Sequence, residues 1–188
     1  MQMKDRSSIP TLISKRLVLR PFCLEDVTAL HKIMVEPGVM QYFPNTEPPE
    51  ISRVQALIER QIMQWNEHGY GWWAVELPET GQLAGWCGLQ YLPETHENEV
   101  GYLLEKSNWG KGLATEAGRL SLDYGFNNLK FDAIIGIVHL DNIASQRVLE
   151  KLGLKSPRQA RYFGIDCLRY EINRRDYLLV NSTPVKDG

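Results

Sequence analysis

Asn108-Trp109-Gly110-Lys111-Gly112-Leu113-Ala114-Thr115-Glu116-Ala117 is the stretch whose reading decides the fold. It leaves an apolar, strand-like run, turns through two glycines and enters a helix-forming segment. Gly110 and Gly112 let the main chain approach a ligand without Cβ interference. The first N–H groups of the helix then point at that ligand, and the helix dipole favours negative charge there. Lys111 adds a positive charge. This order of residues predicts a phosphate-bearing ligand held by the main chain.

Three anion-binding loops compete for the stretch. A Walker loop needs two glycines spaced by four residues and then Lys-Ser/Thr, whereas Lys111 is followed by Gly112. A dinucleotide fingerprint needs a third glycine where Thr115 stands. The third pattern, Gln/Arg-x-x-Gly-x-Gly/Ala, is the pyrophosphate loop of the GCN5-related N-acetyltransferases (GNAT). Trp109 to Ala114 resembles it at Gly112 and Ala114, with Trp109 in place of Gln or Arg. An ordinary glycine turn before a helix fits the same ten residues.

Residues further along favour the third pattern. Asn142-Ile143-Ala144-Ser145-Gln146-Arg147-Val148-Leu149-Glu150-Lys151-Leu152-Gly153 follows the apolar run Ile134 to Val138. It resembles the second acetyl-coenzyme-A motif of the superfamily, in the form found in its RimJ/RimL-like branch. Arg16-Leu17-Val18-Leu19-Arg20-Pro21, Gly85-Trp86-Cys87-Gly88-Leu89 and Glu99-Val100-Gly101-Tyr102 match that branch in order. The resemblance spans residues 11 to 178.

Hydrophobic periodicity places strands at 16–21, 72–77, 83–92, 99–104, 131–138, 155–162 and 166–173, and helices at 24–34, 51–68, 112–127 and 142–152. Pro78-Glu79-Thr80-Gly81 is a turn, and Gly153 closes the last helix. The middle strands read as an antiparallel meander, and the β-α-β passage through 112–127 demands a parallel crossover. The family resemblance implies a mixed α/β acyl-CoA N-acyltransferase fold. Its sheet would be mixed and mostly antiparallel, with about seven strands, a splayed parallel pair and helices on both faces. One domain over 1–188 is expected, with tails at 1–10 and 182–188.

The resemblance also implies where acetyl-CoA lies. In the family the pantetheine arm enters the gap between two splayed strands, here 99–104 and 131–138. Backbone groups of Tyr102, Leu103 and Leu104 would bind its amides, because a splayed edge leaves unpaired donors and acceptors. Trp109, Gly110, Lys111, Gly112, Leu113, Ala114 and Thr115 would hold the pyrophosphate, with Asn142 and Ser145 contacting the cofactor. Asn142 and Ser145 also suit capping of their own helix.

Acetyl transfer to an amine requires loss of a proton from a group with a pKa near 10, harder than releasing a thiolate. Many family members use a glutamate base and a tyrosine acid at places held here by Ile137 and Leu149, neither of which moves protons. Glu99 is the first candidate base, with a solvated strand-end carboxylate as the alternative reading. His139 is the second, since it shares strand parity with Ile137. Ser145 is the hydroxyl expected at the thiol. Trp72, Trp73, Trp86 and the 37–50 loop are candidates for the acceptor side, though core positions suit them equally.

Composition agrees with a globular enzyme. The chain has 188 residues, 43% of them hydrophobic, and a net charge of -2, which argues against nucleic-acid wrapping. Arg158, Arg161, Arg169, Arg174 and Arg175 read as a solvated surface. Three widely spaced cysteines and four histidines show no metal-ligand spacing, so no metal is expected. No signal peptide or membrane span is read, which suggests a reduced cytoplasmic setting. The expected partners are acetyl-CoA and an amine, either a protein N-terminus or a small molecule, with the chain as monomer or homodimer. A catalytically silent acyl-CoA-binding module and a nucleotide enzyme are the competing functions.

Overall fold

The computed structural model describes residues 9–181, so the tail expected at 182–188 and most of that at 1–10 lie outside them. One mixed sheet organises the chain. Its strands are β1 (Leu12–Ile13), β2 (Val18–Arg20), β3 (Trp72–Leu77), β4 (Gln82–Leu92), β5 (Glu97–Leu104), β6 (Ala133–His139), β7 (Lys155–Tyr162) and β8 (Ile165–Asn173). They lie in the order β1-β2-β3-β4-β5-β6-β8-β7. All neighbours are antiparallel except β5 and β6, which are joined by the crossover predicted from sequence.

Helices cover both faces because the strand faces are apolar on both sides. The helices α1 (Val27–Met34) and α2 (Ile51–His68) place Leu30, Ile33, Val54 and Ile58 against Trp72, Ala74, Trp86 and Leu103. On the other face, α3 (Leu113–Asp123) and α4 (Ile143–Lys151) place Leu113, Ala117, Leu122 and Leu149 against Cys87, Leu89, Val100 and Ile134. The chain's last described helix, α5 (Arg174–Asn181), packs Tyr177 on Phe126 with ring centroids 4.7 Å apart. None of the described helices is long and apolar enough to cross a membrane.

The structure corrects the sequence reading in several places. Among the described residues there are eight strands, since the two-residue β1 pairs with β2, and α5 was not anticipated. Trp73 faces the α3 side, fully buried among core residues, so it is not on the same face as Trp72 and Trp86. Arg169 is no solvated residue: it is 7% exposed and forms ion pairs with Glu97 and Glu171. Arg158, Arg161 and Arg175 are exposed as expected. Charged residues along β7 suit an edge strand, where they discourage pairing with another chain.

Candidate active site

The loop at 109–115 has the backbone the glycines predicted. Gly110 and Gly112 have φ of 73° and 79°, a region that side chains with a Cβ avoid. Glu116 N–H donates to Gly112 C=O at 3.1 Å, which starts the α3 ladder. The N–H groups of Leu113, Ala114 and Thr115 therefore precede it and are free to meet an anion. A Cβ at position 110 would meet nothing within 4 Å, so the loop is open on that side. Thr115 is buried, while Lys111 is exposed.

A second layer braces the loop from the other end of the sequence. Arg16 donates from Nη1 to Lys111 C=O at 2.9 Å and from Nε to Glu116 Oε2 at 2.7 Å. Ser14 Oγ donates to Glu116 Oε1 at 2.7 Å. Burial disfavours the Glu116 anion, but these bonds outweigh it and hold the carboxyl below its usual range. Glu116 thus ties α3 to the β1–β2 turn as well as favouring the helix dipole. Arg16→Ala should weaken binding of coenzyme A several-fold by loosening this brace; calorimetric titration giving an unchanged Kd would show that the loop holds its shape unaided.

Trp109 is 43% exposed, and its indole N–H donates to Leu104 C=O at 2.8 Å. That bond fastens the loop to the end of β5. Beyond it, β5 and β6 separate. Their registered pairing is Glu99 with Ile135, and among the described residues no ladder partner on β6 is recorded for Tyr102, Leu103 or Leu104. Tyr102 donates its hydroxyl to Ser145 C=O at 3.3 Å, which links β5 to the first turn of α4. Burial raises the Tyr102 pKa, which keeps this donor protonated.

Asn142 caps α4, its Oδ1 accepting from Ser145 N–H at 3.1 Å. Ser145 therefore sits in the first turn of α4, tied to β5 through Tyr102. Leu149 is 2% exposed and fills the space that Gly136 leaves bare; a Cβ at 136 would lie 2.5 Å from it. A polar acid at 149 would have to enter this apolar contact. The residue belongs to the core.

Glu99 is not at the strand's opening, as its sequence position suggested, since β5 begins at Glu97. It is 6% exposed, so the solvated reading fails. Gln90 Nε2 donates to Glu99 Oε2 at 2.5 Å. The Ile137 backbone on β6 also favours the anion, so the Glu99 carboxyl lies between β4 and β6 near the point where β5 and β6 part. Burial pushes its pKa up to about 7 against these two influences.

Around Glu99, register alternation assembles one face. Trp86, Gly88 and Gln90 of β4 pair with Leu103, Gly101 and Glu99 of β5, and Ile135 and Ile137 of β6 pair with Glu171 and Arg169 of β8. His139 ends this row; its ring lies 5.4 Å from that of Tyr42, and its Nδ1 accepts from Asp141 N–H at 3.1 Å. Trp72 and Trp86 stack with centroids 3.8 Å apart, and neither buried indole N–H meets an acceptor among the described residues. Neither the stack nor Gln90 was legible in sequence, because each depends on strand register.

A phosphate-binding helix start beside a splayed parallel pair is a family signature, and the family model described as "Acetyltransferase (GNAT) domain" matches residues 16–155. The chain belongs to the GNAT acetyltransferase family. Its fold is that of acetyl-CoA-dependent acetyltransferases, and residues 110–115 and the splayed β5 edge fit the cofactor's diphosphate and amides. Uncharacterized protein YkkB of Bacillus subtilis is 33% identical over 88% of this chain and 96% of its own length. Spermidine N(1)-acetyltransferase of Escherichia coli is 27% identical over 88% of this chain and 90% of its own. A crystal structure of an acetyltransferase from Agrobacterium tumefaciens superposes with a TM-score of 0.77 at 29% identity, covering 88% and 95% of the two chains. Among the described residues of this GNAT chain, no cluster of three or more His, Cys, Asp or Glu could hold a metal ion.

Proposed function

We propose that this GNAT enzyme is of the RimJ/RimL-like type and transfers acetyl to a primary amine by direct attack in a ternary complex, with Glu99 as general base. The observation that carries this reading is the buried Glu99 carboxylate at the parting of β5 and β6. The acceptor enters from the α1 and α2 face, past Trp72, Trp86 and His139. Its nitrogen attacks the thioester carbonyl carbon, its proton passes to Glu99 directly or through water, and the C–S bond breaks. A base with a pKa of about 7 is matched to this work near neutral pH.

Ser145 donates a hydrogen bond to the leaving sulfur in this scheme. A thiolate leaves without full protonation, so Ser145→Ala should lower kcat about tenfold or less. A loss beyond a hundredfold would make the hydroxyl an obligatory acid. Its position in the capped turn of α4, tied to β5 by Tyr102, supports the assignment.

The acceptor is either a protein N-terminal amine or a small amine; the spermidine enzyme among the relatives supports including polyamines. Thiol release from acetyl-CoA, measured with peptides carrying free N-termini and with polyamines, tests the proposal. Tight acetyl-CoA binding without release on any amine would make the chain a silent acyl-CoA-binding module.

A further inference from the structure

We infer that Gln90 is a positioning residue for the reaction: its amide fixes one oxygen of Glu99 as an acceptor and leaves the remaining carboxylate lone pairs to receive the amine's proton. The inference rests on the reading of Glu99 as general base. Gln90 pairs with Glu99 across the β4–β5 ladder, and its Nε2 lies 2.5 Å from Oε2. An amide nitrogen donates and cannot accept, so Oε2 on that side cannot carry the transferred proton. Glu99 is 6% exposed, and the Ile137 backbone on the β6 side also favours its anion. A buried carboxylate with one oxygen fixed by a donor is held in orientation, which is what proton transfer from a bound amine needs.

The charged and titratable neighbours are arranged to leave this pair undisturbed. On the same face, Glu97 of β5 is engaged by Arg169 of β8 at 2.6 Å and by the Tyr162 hydroxyl of β7 at 2.5 Å. Arg169 also pairs with Glu171 of β8. Cys167 of β8 donates to Ala160 C=O at 3.3 Å and its thiol is raised by burial, with a smaller contribution from the Glu99 charge. Arg158 of β7 pairs opposite Arg169 in register and is exposed, and His139 of β6 lies two positions beyond Ile137. Arg169, the buried cation among them, is already shared by two carboxylates, so the recorded side-chain bond to Glu99 comes from neutral Gln90.

The test uses Gln90→Met, which keeps length without the donor, and Gln90→Glu, which puts a like charge beside Glu99. Two measurements are made on the intact chain: kcat/KM against pH, and a 13C titration of the Glu99 carboxyl, assigned by its absence in Glu99→Gln. Losing a bond to the anion raises the pKa, so both variants should move the acid limb upward. At pH 6 kcat/KM should fall about tenfold relative to the parent, with the alkaline plateau within about threefold and the carboxyl titrating about one pH unit higher. A merely structural Gln90 would instead lower activity equally at every pH and leave the titration in place, and that result overturns the inference. The two readings fail separately. An active Glu99→Gln chain sinks the base, whereas a dead Glu99→Gln with an unmoved Gln90→Met titration sinks only the positioning role.

Discussion

Glu99→Gln is expected to lower acetylation about 10²- to 10⁴-fold at neutral pH, the range general-base catalysis supplies, while leaving coenzyme A affinity within about twofold. The two effects separate because residues 110–115, proposed to hold the diphosphate, follow the far end of β5 from the carboxylate. The same substitution should stabilise the fold. The folded-state pKa is raised from 4.5 to about 7, so the native chain binds more protons than the unfolded chain between those values. Stability then falls as pH rises through this window, and the ionised group weakens the native state above it. Replacing the carboxylate by a neutral amide of the same shape should therefore raise stability at pH 8, on the order of 3 kcal/mol, and have little effect at pH 4. Urea melts at the two pH values check the sign. Equal effects at both would show that Glu99 is not held in a desolvated state, and undiminished turnover would remove it as base.

Gly85→Ala should be the most damaging single methyl in the chain. Gly85 lies in β4 at φ 144°, where the β3–β4 register shifts, and a Cβ there would sit 2.0 Å from the Leu103 carbonyl oxygen. The obstruction is main chain, which cannot rotate away as a side-chain tip can. Relief requires β4 and β5 to part at the residues expected to bind pantetheine amides. The expected loss is about 3 kcal/mol or more, with weakened coenzyme A binding in whatever remains folded. Gly110→Ala is the control, because its Cβ meets open space and only the positive φ resists it, at a cost of about 1 to 2 kcal/mol. Denaturation midpoints that rank the two alike would refute the steric account.

The sequence reading reached the elements through local signals and the fold through the family resemblance of its motifs. Alternation found the long strands, 3.6-residue spacing found α1 to α4, and Gly110 and Gly112 marked the loop because their φ values are a local requirement. It missed β1 because two residues carry no periodicity, and it missed α5 because Arg174 to Asn181 is a charged triplet followed by an apolar run, too short to show helical spacing. Arg169 was misread for a different reason. Its burial follows from Glu97 and Glu171, which reach it from β5, beyond β6, and from its own strand, and residue type alone argues for exposure. Trp73 was misplaced because adjacent strand residues face opposite sides, so only one side of the sheet could receive both Trp72 and Trp86.

By itself, the order of residues determined most strands and helices, the crossover and the glycine turn before α3, because each depends on backbone preference and apolar spacing within one segment, while the motifs carried the family resemblance that implied the fold. Tertiary structure alone decided that Glu99 is buried, that Gln90 grips it, and that Arg16 braces a loop almost a hundred residues away. Those facts depend on register between strands and on exclusion of water, neither of which any single segment carries.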